Sequence, residues 1–423
     1  MKFGTDGIRG VYGETLTENT AYRLGAALGK SGTVLIGRDN RPSSPSLARA
    51  VACGVASAGG SANAVGLVTT PALFYLTKAL HAHYGVMITA SHNPPSHNGL
   101  KVFTPDGKPS EPLRLQIEEA MAKVTGEADP AFPLSEDARP LSLYRNFFRA
   151  CIGNLEGLTA VVDFAGGAGY AFKNLLTSLG AKVFPLNLRE KGDRINLNCG
   201  ALHPFFLAEE TRRLHADLGF ALDGDGDRIV AADEKGSLWD GDRILYYFAC
   251  KMKEKGMLRK NEVALTVMSN SGVLKSLSEQ GIRALSCAVG DSAVAETMKG
   301  EGLNLGGEQS GHVILGDSLM TGDALLVGAA LLKSIREEGP LGSAPRPMVY
   351  PQVLLNLPVK EKGIAASPAI QALAAEVKES LGEGRVLLRA SGTENMIRIM
   401  VEHPDRSRAL LAAEKLQKAL AEQ

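Results

Sequence analysis

The chain has 423 residues, of which 44% are hydrophobic and 22% are charged, and 46 basic residues balance 46 acidic ones. This length predicts roughly two to four domains, and the composition excludes a disordered, collagen-like or disulfide-stapled chain. Zero formal net charge argues against a general nucleic-acid binder, because such proteins usually carry a basic excess.

The apolar segments are too short for a membrane protein. The longest lies within Ala324–Leu332, well below the roughly 18 residues that a membrane span needs. The N-terminus, MKFGTDGIRG, has no apolar signal-peptide core. The five cysteines are widely spaced and form no CxxC pair, which disfavours a zinc site or a disulfide framework. We therefore expect a cytoplasmic protein with no membrane partner and no nucleic-acid partner.

The first part of the chain alternates short apolar runs with helical patterns. Buried strands are predicted at Thr33–Gly37 and Tyr84–Thr89, and helices at Ser46–Ala58 and Pro71–Leu80. Continuous apolar strands between helices are typical of a parallel sheet covered on both faces. An acidic, proline-rich stretch after Lys123 predicts a linker or a domain edge.

The same alternation then restarts twice. The second round has a predicted helix that ends at Leu179 and strands at Ala160–Phe164, Val183–Leu186, Phe220–Asp223 and Ile229–Ala232. The third has strands at Val263–Val267 and Leu285–Ala288 and helices at Arg243–Lys255, Val273–Gln280 and Asp323–Glu338.

After Pro345 the pattern changes to that of a small α+β domain. It consists of strands at Val353–Val359, Arg385–Arg389 and Met396–Val401, a helix at Ala369–Leu381, and a last helix that runs to Gln423. We therefore predict four domains, with bounds 1–140, 141–238, 239–342 and 343–423.

A serine-rich loop is predicted at Thr89–Lys101 (TASHNPPSHNGLK), directly after a buried strand. The carboxyl ends of strands in open α/β sheets are where ligands bind. A serine beside a histidine is a candidate nucleophile, although a turn whose side chains bond the local backbone also explains these residues. The triplet SHN occurs twice, and we favour Ser91 over Ser96 because Ser91 lies at the rigid end of the strand.

The segment Asp223–Arg228 (DGDGDR) places three carboxylates at alternate positions between glycines. Such oxygen ligands favour magnesium or calcium, and three like charges after a buried strand repel each other without a counter-ion. An EF-hand is excluded, because Arg228 occupies the place of its invariant glycine and a strand precedes the loop. A dehalogenase-type phosphatase with Asp223 as nucleophile remains a weaker alternative, because Asp227 stands where those enzymes carry Thr or Val.

Two later loops and the N-terminus are also candidates for binding. Gly306–His312 (GGEQSGH) can hydrogen-bond sugar hydroxyls, although an ordinary turn explains it as well. Arg389–Arg398 (RASGTENMIR) combines hydroxyls, backbone N–H groups and two arginines, as a phosphate clamp would, and a hairpin turn is the alternative. Arg9 lies in a glycine-rich setting, and Gly37–Ser43 lines a cleft or caps a helix. Together these motifs indicate a cleft for a phosphorylated sugar.

In this order and approximate spacing, TASHNP, DGDGDR, GGEQSGH and RASGTE resemble the α-D-phosphohexomutase family over essentially the whole chain. FGTDGIRG, INLNCGALHP, AVGD and GEQSGH resemble the branch that acts on glucosamine phosphates. Phosphomannomutase/phosphoglucomutase members usually have GEMSGH, so Gln309 bears part of the distinction. The sequence departs from the branch at three positions, Ser292 (usually Arg), Asn395 (usually Pro) and Gly166 (often His or Asn).

The resemblance implies three related α/β domains with mixed or parallel sheets and a C-terminal α+β domain of the TATA-binding-protein-like type, around a central cleft. It implies an isomerase that interconverts glucosamine 6-phosphate and glucosamine 1-phosphate through a phosphoserine and a bisphosphorylated sugar, on the route to UDP-N-acetylglucosamine. Phosphomannomutase/phosphoglucomutase activity is the alternative, and a catalytically retired phosphosugar-binding protein is disfavoured because the motifs are intact.

The same resemblance implies roles for individual residues. Ser91 would be the phosphoserine and would share Mg²⁺ with Asp223, Asp225 and Asp227. Sugar hydroxyls would contact Glu308 and Ser310, with His312 nearby. The transferring phosphoryl group would be surrounded by Arg9, His92, Lys101 and Arg228, and the other phosphate would be held by Arg389, Ser391, Gly392, Thr393 and Arg398. A sugar 1,6-bisphosphate is the expected activator. The sequence does not decide between His92 and Lys101 for the proton, or between a monomer and a homodimer.

Overall fold

The structure, a computed structural model, describes residues 3–4, 7–359, 361–390 and 396–421. The chain divides into two compact units. The larger contains Met1–Val267 and Leu285–Pro345, and the smaller contains Met268–Ala284 and Arg346–Gln423. Among the described residues, no helix has both the length and the apolar character needed to span a membrane.

The first sheet of the larger unit has five strands in the order β1-β5-β4-β2-β3. Its strands are β1 (Ile8–Val11), β2 (Thr33–Arg38), β3 (Ser61–Leu67), β4 (Tyr84–Ile88) and β5 (His97–Phe103). Its helices are α1 (Glu18–Gly29), α2 (Ser44–Ser57), α3 (Thr70–Ala79) and α4 (Glu111–Ala122). Strands β2, β3 and β4 are parallel, whereas β5 runs antiparallel to both β4 and β1. The mixed α/β fold class is therefore confirmed.

Strand β5 corrects one detail of the sequence analysis, which assigned the chain up to Lys101 to a loop. The strand begins at His97, so Lys101 lies opposite Met87 of β4. Its polar start concealed it, because Asn98 is buried and donates to the hydroxyls of Ser43 and Ser44 at 2.8 and 3.0 Å.

The second sheet has the order β10-β9-β8-β6-β7. It comprises α5 (Leu141–Ile152), β6 (Thr159–Asp163), β7 (Lys182–Leu186), α6 (Phe205–Arg213), β8 (Leu218–Leu222), β9 (Ile229–Asp233) and β10 (Leu238–Trp239). The helix predicted to end at Leu179 is wrong, because only the 3₁₀ turns Ala168–Phe172 and Thr177–Leu179 form there. The N–H of Ala168 donates instead to the carbonyl of Gly224 at 2.8 Å, which ties this turn to the acidic loop.

The third sheet has the order β12-β11-β13-β14. Its region of the chain contains α7 (Gly241–Glu254), β11 (Glu262–Thr266), α8 (Ser271–Glu279), β12 (Arg283–Cys287), α9 (Asp291–Glu301), β13 (Leu305–Gly307), β14 (Val313–Leu315) and α10 (Ala324–Glu338). Helix α8 belongs to the smaller unit.

The smaller unit is built on an antiparallel sheet in the order β15-β17-β16. Its elements are β15 (Gln352–Pro358), α11 (Pro368–Leu381), β16 (Arg385–Ala390), β17 (Met396–Glu402) and α12 (Arg406–Ala421). Ile397, Ile399 and Val401 alternate along β17 and pack in one core with both helices, whereas Arg398 between them is exposed. This is the predicted small α+β domain.

Helix α10 is anchored beside the acidic loop by a buried cap. Asp323 accepts from the N–H of Leu326 at 3.0 Å and from the hydroxyl of fully buried Tyr144. The N–H of Ala324, the residue after Asp323, donates to the carbonyl of Gly226 at 3.0 Å. Burial raises the pKa of Asp323 to about 6.

This cap predicts an unusual dependence of stability on pH. The folded protein binds the Asp323 proton more tightly than the unfolded chain does. The free energy of unfolding therefore falls as the pH rises from about 4 to about 6, where Asp323 ionises, and it recovers as the pH is lowered again. Asp323→Asn keeps an acceptor for the helix but does not ionise. We expect the difference in unfolding free energy between this variant and the wild type to shift in favour of the variant by about 2 kcal/mol from pH 4.5 to pH 7.5, measured by urea unfolding. The exposed control Asp129→Asn should show no such trend. If the unfolding free energies of Asp323→Asn and the wild type change in parallel with pH, Asp323 is not the group responsible.

Candidate active site

Ser91 follows β4 in a strained and buried position. Its side chain is almost fully buried, its φ is +51°, and its N–H donates to Thr89 Oγ1 at 2.9 Å. Its Oγ donates to Asp223 Oδ2 at 2.7 Å and lies 3.4 Å from His92 Nδ1. A left-handed backbone costs a non-glycine residue about 1–2 kcal/mol, so the surrounding contacts must enforce this orientation.

The second serine of the repeated triplet has different surroundings. Ser96 is exposed, and its Oγ lies 3.2 Å from His97 Nδ1. The structure therefore brings Ser91, rather than Ser96, to the acidic loop.

The acidic loop connects fully buried β8 to its antiparallel neighbour β9. Asp223 Oδ1 accepts from the N–H groups of Gly226 and Arg228 at 3.1 and 3.3 Å. Gly226 has a φ of +76°, and a Cβ at Gly224 would lie 2.5 Å from the carbonyl oxygen of Ser91. Both glycines are thus required by geometry, one for its backbone conformation and one for the close approach of the serine loop.

The three carboxylates of this loop converge, with one oxygen from each within 4.8 Å of the others. Lys101 Nζ donates to Asp225 Oδ2 at 2.6 Å and to Asp227 Oδ2 at 2.9 Å, and Thr70 Oγ1 also donates to Asp225 Oδ2 at 2.6 Å. Among the residues that the structure describes, the second oxygens of Asp225 and Asp227 are buried without a hydrogen-bond partner.

Unsatisfied buried carboxylate oxygens fit a bound cation, because leaving them unpaired is costly. The donor set consists of carboxylate oxygens without sulfur, which favours magnesium or calcium over zinc. The residues therefore fit the hard-cation site that the sequence predicted, and a strand on each side of the loop agrees with the exclusion of an EF-hand.

The charges within this cluster are unequal. Burial and the negative charges of Asp227 and Asp225 raise the pKa of Asp223 well above its usual range. Burial also opposes ionisation of Asp227, but the positive charges of Lys101 and Arg228 outweigh it and hold the pKa of Asp227 below its usual range. Negative charge is therefore concentrated on the side of the cluster next to Lys101.

His92 stays neutral beside this cluster. Burial, together with the positive charges of Arg228 and Arg9, lowers the pKa of His92 to about 4. At neutral pH, a nitrogen of its uncharged ring is consequently able to accept a proton.

The predicted sugar loop joins β13 to β14 and is fixed to the acidic loop. Gly311 O accepts from the N–H of Ile229, the first residue of β9, at 3.0 Å. The side chain of Glu308 is largely buried, and its Oε1 accepts from Gly290 N at 3.0 Å. Ser310 is exposed at the tip of the loop.

His312 lies at the base of the sugar loop and is buried. Its Nε2 accepts from Gly322 N at 3.1 Å and lies 4.0 Å from Asp291 Oδ2, and Lys108 Nζ contacts Asp291 at 2.6 Å. A side-chain atom from each of Asp227, Asp291 and His312 lies within 4.8 Å of the others, so the sugar loop and the acidic loop are immediate neighbours.

The predicted phosphate residues belong to the smaller unit. Arg389 and Arg398 are exposed and lie directly opposite each other on β16 and β17. Ser391, Gly392 and Thr393 lie outside the described residues.

Several residues of the site escaped the sequence analysis. Thr70, whose hydroxyl donates to Asp225, directly precedes the predicted helix Pro71–Leu80, and nothing in the local sequence marks it as a site residue. Asn196, within INLNCG, contacts the serine loop through its side-chain amide. Arg41 was considered only as part of a segment that lines a cleft or caps a helix.

Comparisons with known proteins agree with this arrangement. Three family models match the chain: phosphoglucomutase/phosphomannomutase alpha/beta/alpha domain I at residues 1–127, alpha/beta/alpha domain III at 240–345, and the C-terminal domain at 354–419. The chain also resembles a solved phosphoglucomutase/phosphomannomutase family protein from Burkholderia thailandensis in fold, with a TM-score of 0.80 and 23% identity over 98% of this chain and 95% of that one.

Curated relatives are more similar in sequence, over 95% of this chain. The chain is 41% identical to a phosphoglucosamine mutase of Desulforamulus reducens, over 95% of both chains. It is 40% identical to a phosphoglucosamine mutase of Limosilactobacillus fermentum, over 95% of this chain and 94% of that one. The chain therefore belongs to the α-D-phosphohexomutase family.

Proposed function

We propose that this isomerase interconverts glucosamine 6-phosphate and glucosamine 1-phosphate, in the cytoplasm, through a phosphorylated Ser91. The observation that carries the proposal is the 2.7 Å contact between Ser91 Oγ and Asp223 inside a buried carboxylate cluster, in a chain about 40% identical to phosphoglucosamine mutases. A dehalogenase-type hydrolase would have no use for this buried serine.

Turnover consists of two transfers of opposite direction. Phosphorylated Ser91 gives its phosphoryl group to the free hydroxyl of the sugar phosphate, the P–Oγ bond breaks, and a sugar 1,6-bisphosphate forms. The bisphosphate then reorients so that its other phosphoryl group faces Ser91. That group passes to Ser91 Oγ, and the product leaves with one phosphate. The hydroxyl that receives phosphorus loses a proton in each transfer, and the oxygen that releases it gains one.

The residues around Ser91 have complementary tasks. Asp223, Asp225 and Asp227 would hold Mg²⁺ together with the serine phosphate. Bound Mg²⁺ supplies charge neutralisation on the transferring phosphoryl group. Lys101, Arg9 and Arg228 add fixed positive charge there, while uncharged His92 at 3.4 Å and Lys101 remain the two candidates for the proton.

The substrate would be held at both ends. Glu308 and Ser310, with His312 behind them, would bond sugar hydroxyls. Arg389 and Arg398, with Ser391, Gly392 and Thr393, would hold the phosphate that is not reacting. Like charges directly opposite on antiparallel strands repel, and an anion between Arg389 and Arg398 would relieve this repulsion. The four-domain division at 1–140, 141–238, 239–342 and 343–423, with one sheet in each, would supply one of these loops per domain.

The sugar preference is tested with glucosamine, glucose, mannose and N-acetylglucosamine 6-phosphates, each primed with the matching bisphosphate. Because buried Glu308 can pair with an ammonium at the 2-position, we expect kcat/KM for glucosamine 6-phosphate to exceed the others by about tenfold or more. A tenfold preference corresponds to about 1.4 kcal/mol, which one such contact can supply. Ser292, in place of the usual Arg, leads us to expect measurable side activity on glucose phosphate.

Two variants sharpen this test. Glu308→Gln should reduce kcat/KM for glucosamine phosphate more than for glucose phosphate, whereas the exposed control Glu301→Gln should change neither. If glucose or mannose phosphate is the better substrate, the chain is instead a phosphomannomutase/phosphoglucomutase.

A further inference from the structure

The backbone carbonyl of Ser91 is held from two sides by residues that the mechanism above does not use. Arg41 Nη2 donates to it at 3.0 Å and Asn196 Nδ2 donates to it at 2.8 Å. The same two groups also share the carbonyl of Asn93, at 2.8 and 3.0 Å. Two carbonyls of one short loop are thus each bound twice.

Arg41 forms the inner side of this arrangement. It is fully buried, and its Nε donates to Asp39 Oδ2 at 2.8 Å, so its charge is paired. Its Nη1 donates to the carbonyls of Pro94 and His97, the second at 3.0 Å. One rigid guanidinium therefore binds four carbonyls of the serine loop.

Asn196 forms the outer side and comes from the segment that follows β7. Its own backbone is left-handed, with a φ of +59°, and its N–H donates to Ala165 O at 2.9 Å. A Cβ on Gly224 would lie 2.8 Å from Asn196 Nδ2, so the amide packs directly on the acidic loop. Asn196 consequently links the serine loop to the loop that carries the carboxylates.

We propose that Asn196 and Arg41 are positioning residues for phosphoryl transfer, which hold Ser91 in its left-handed conformation so that Oγ points at Asp223. The carbonyl bonds and the Thr89 bond to its N–H fix both peptide groups of Ser91, and this orients the Cα–Cβ bond. Transfer between Oγ and a sugar hydroxyl requires a fixed Oγ position, because small misplacements of reacting atoms slow the step strongly. The inference rests on the proposed function, since it assumes that Ser91 carries the phosphoryl group.

Asn196→Gly tests it, because glycine accepts the left-handed backbone but removes both donated bonds. Asn198→Gly is a matched control, since Asn198 lies in the same segment with a φ of +55° and is exposed. We expect Asn196→Gly to lower kcat by roughly 10- to 100-fold with KM changed by about twofold or less. Phosphorylation of Ser91 by the sugar bisphosphate, followed by intact mass, should slow by the same factor, while the melting temperature stays close to that of the control.

A kcat within about threefold of the wild type would overturn the proposal, and so would an equal loss in Asn198→Gly or a loss that follows the fall in melting temperature. Arg41→Lys keeps the charge opposite Asp39 but loses the planar donor set, so the same selective fall in kcat is expected if it folds. All ratios are taken on whichever hexose phosphate the wild type uses best. If the sugar assignment is wrong, the wild-type substrate panel shows it, and the ratio of kcat between Asn196→Gly and the wild type can still be interpreted. An active Ser91→Ala variant would instead refute the proposed function itself.

Discussion

Ser91→Ala is expected to abolish mutase turnover, with a loss of about 10⁴-fold or more, because alanine has no hydroxyl to carry the phosphoryl group. The variant should fold normally. It loses one hydrogen bond to Asp223, whereas the backbone bonds that hold the loop do not involve the hydroxyl. Formation of glucosamine 1-phosphate, followed by phosphorus NMR, measures the loss, and intact mass of the wild type should show one phosphoryl group on the Ser91 peptide.

Ser96→Ala is the matched control for this experiment. Ser96 also precedes a histidine and lies in the same loop, but it is exposed, and its Oγ contacts His97. It should keep most of the activity. Full turnover by Ser91→Ala, or equal losses in the two variants, would remove the phosphoserine from the mechanism.

Loss of the cation is expected to have the second largest effect. Chelation should reduce activity by roughly 10³-fold or more and added Mg²⁺ should restore it, because the transferring phosphoryl group and three carboxylates otherwise repel each other. Asp225→Asn should cause a comparable loss at saturating Mg²⁺. Thr70 and Lys101 both bond one oxygen of Asp225, its other oxygen is buried without a hydrogen-bond partner among the described residues, and the substitution removes the negative charge that would bind the ion.

Asp217→Asn provides the comparison, since Asp217 precedes the opposite end of the same strand, β8, and accepts from Thr159 N at 2.7 Å. An asparagine can keep that bond, so activity and Mg²⁺ dependence should match the wild type. Undiminished activity after exhaustive chelation would show that the carboxylates serve another purpose.

The sequence predicted well what depends on neighbouring residues. The buried strands before Ser91 and Asp223 and the convergence of three carboxylates follow from local apolar runs and glycine spacing, and the structure confirms the strands and the cluster. The choice of Ser91 over Ser96 rested on the rigidity of a strand end, and it is Ser91 that contacts the cluster. Its role in transfer stays a prediction until the variants are measured.

What the sequence did not predict depends on contacts between distant segments. Asn196 reaches a carbonyl 105 positions away, through a backbone conformation that no local pattern specifies. The helix expected before Leu179 is replaced by 3₁₀ turns, and the first N–H of these turns, at Ala168, donates to the distant acidic loop. Strand β5 was missed because its polar Asn98 finds its partners, Ser43 and Ser44 at the start of helix α2, only in the folded protein.

The ammonium group of Lys101 has a consequence for how the protein is made. It lies between Asp225 and Asp227 at 2.6 and 2.9 Å, so the chain itself supplies a positive charge that balances these carboxylates. The chain can therefore bring these acidic side chains together before any cation is bound, and we expect the loop to fold without added Mg²⁺.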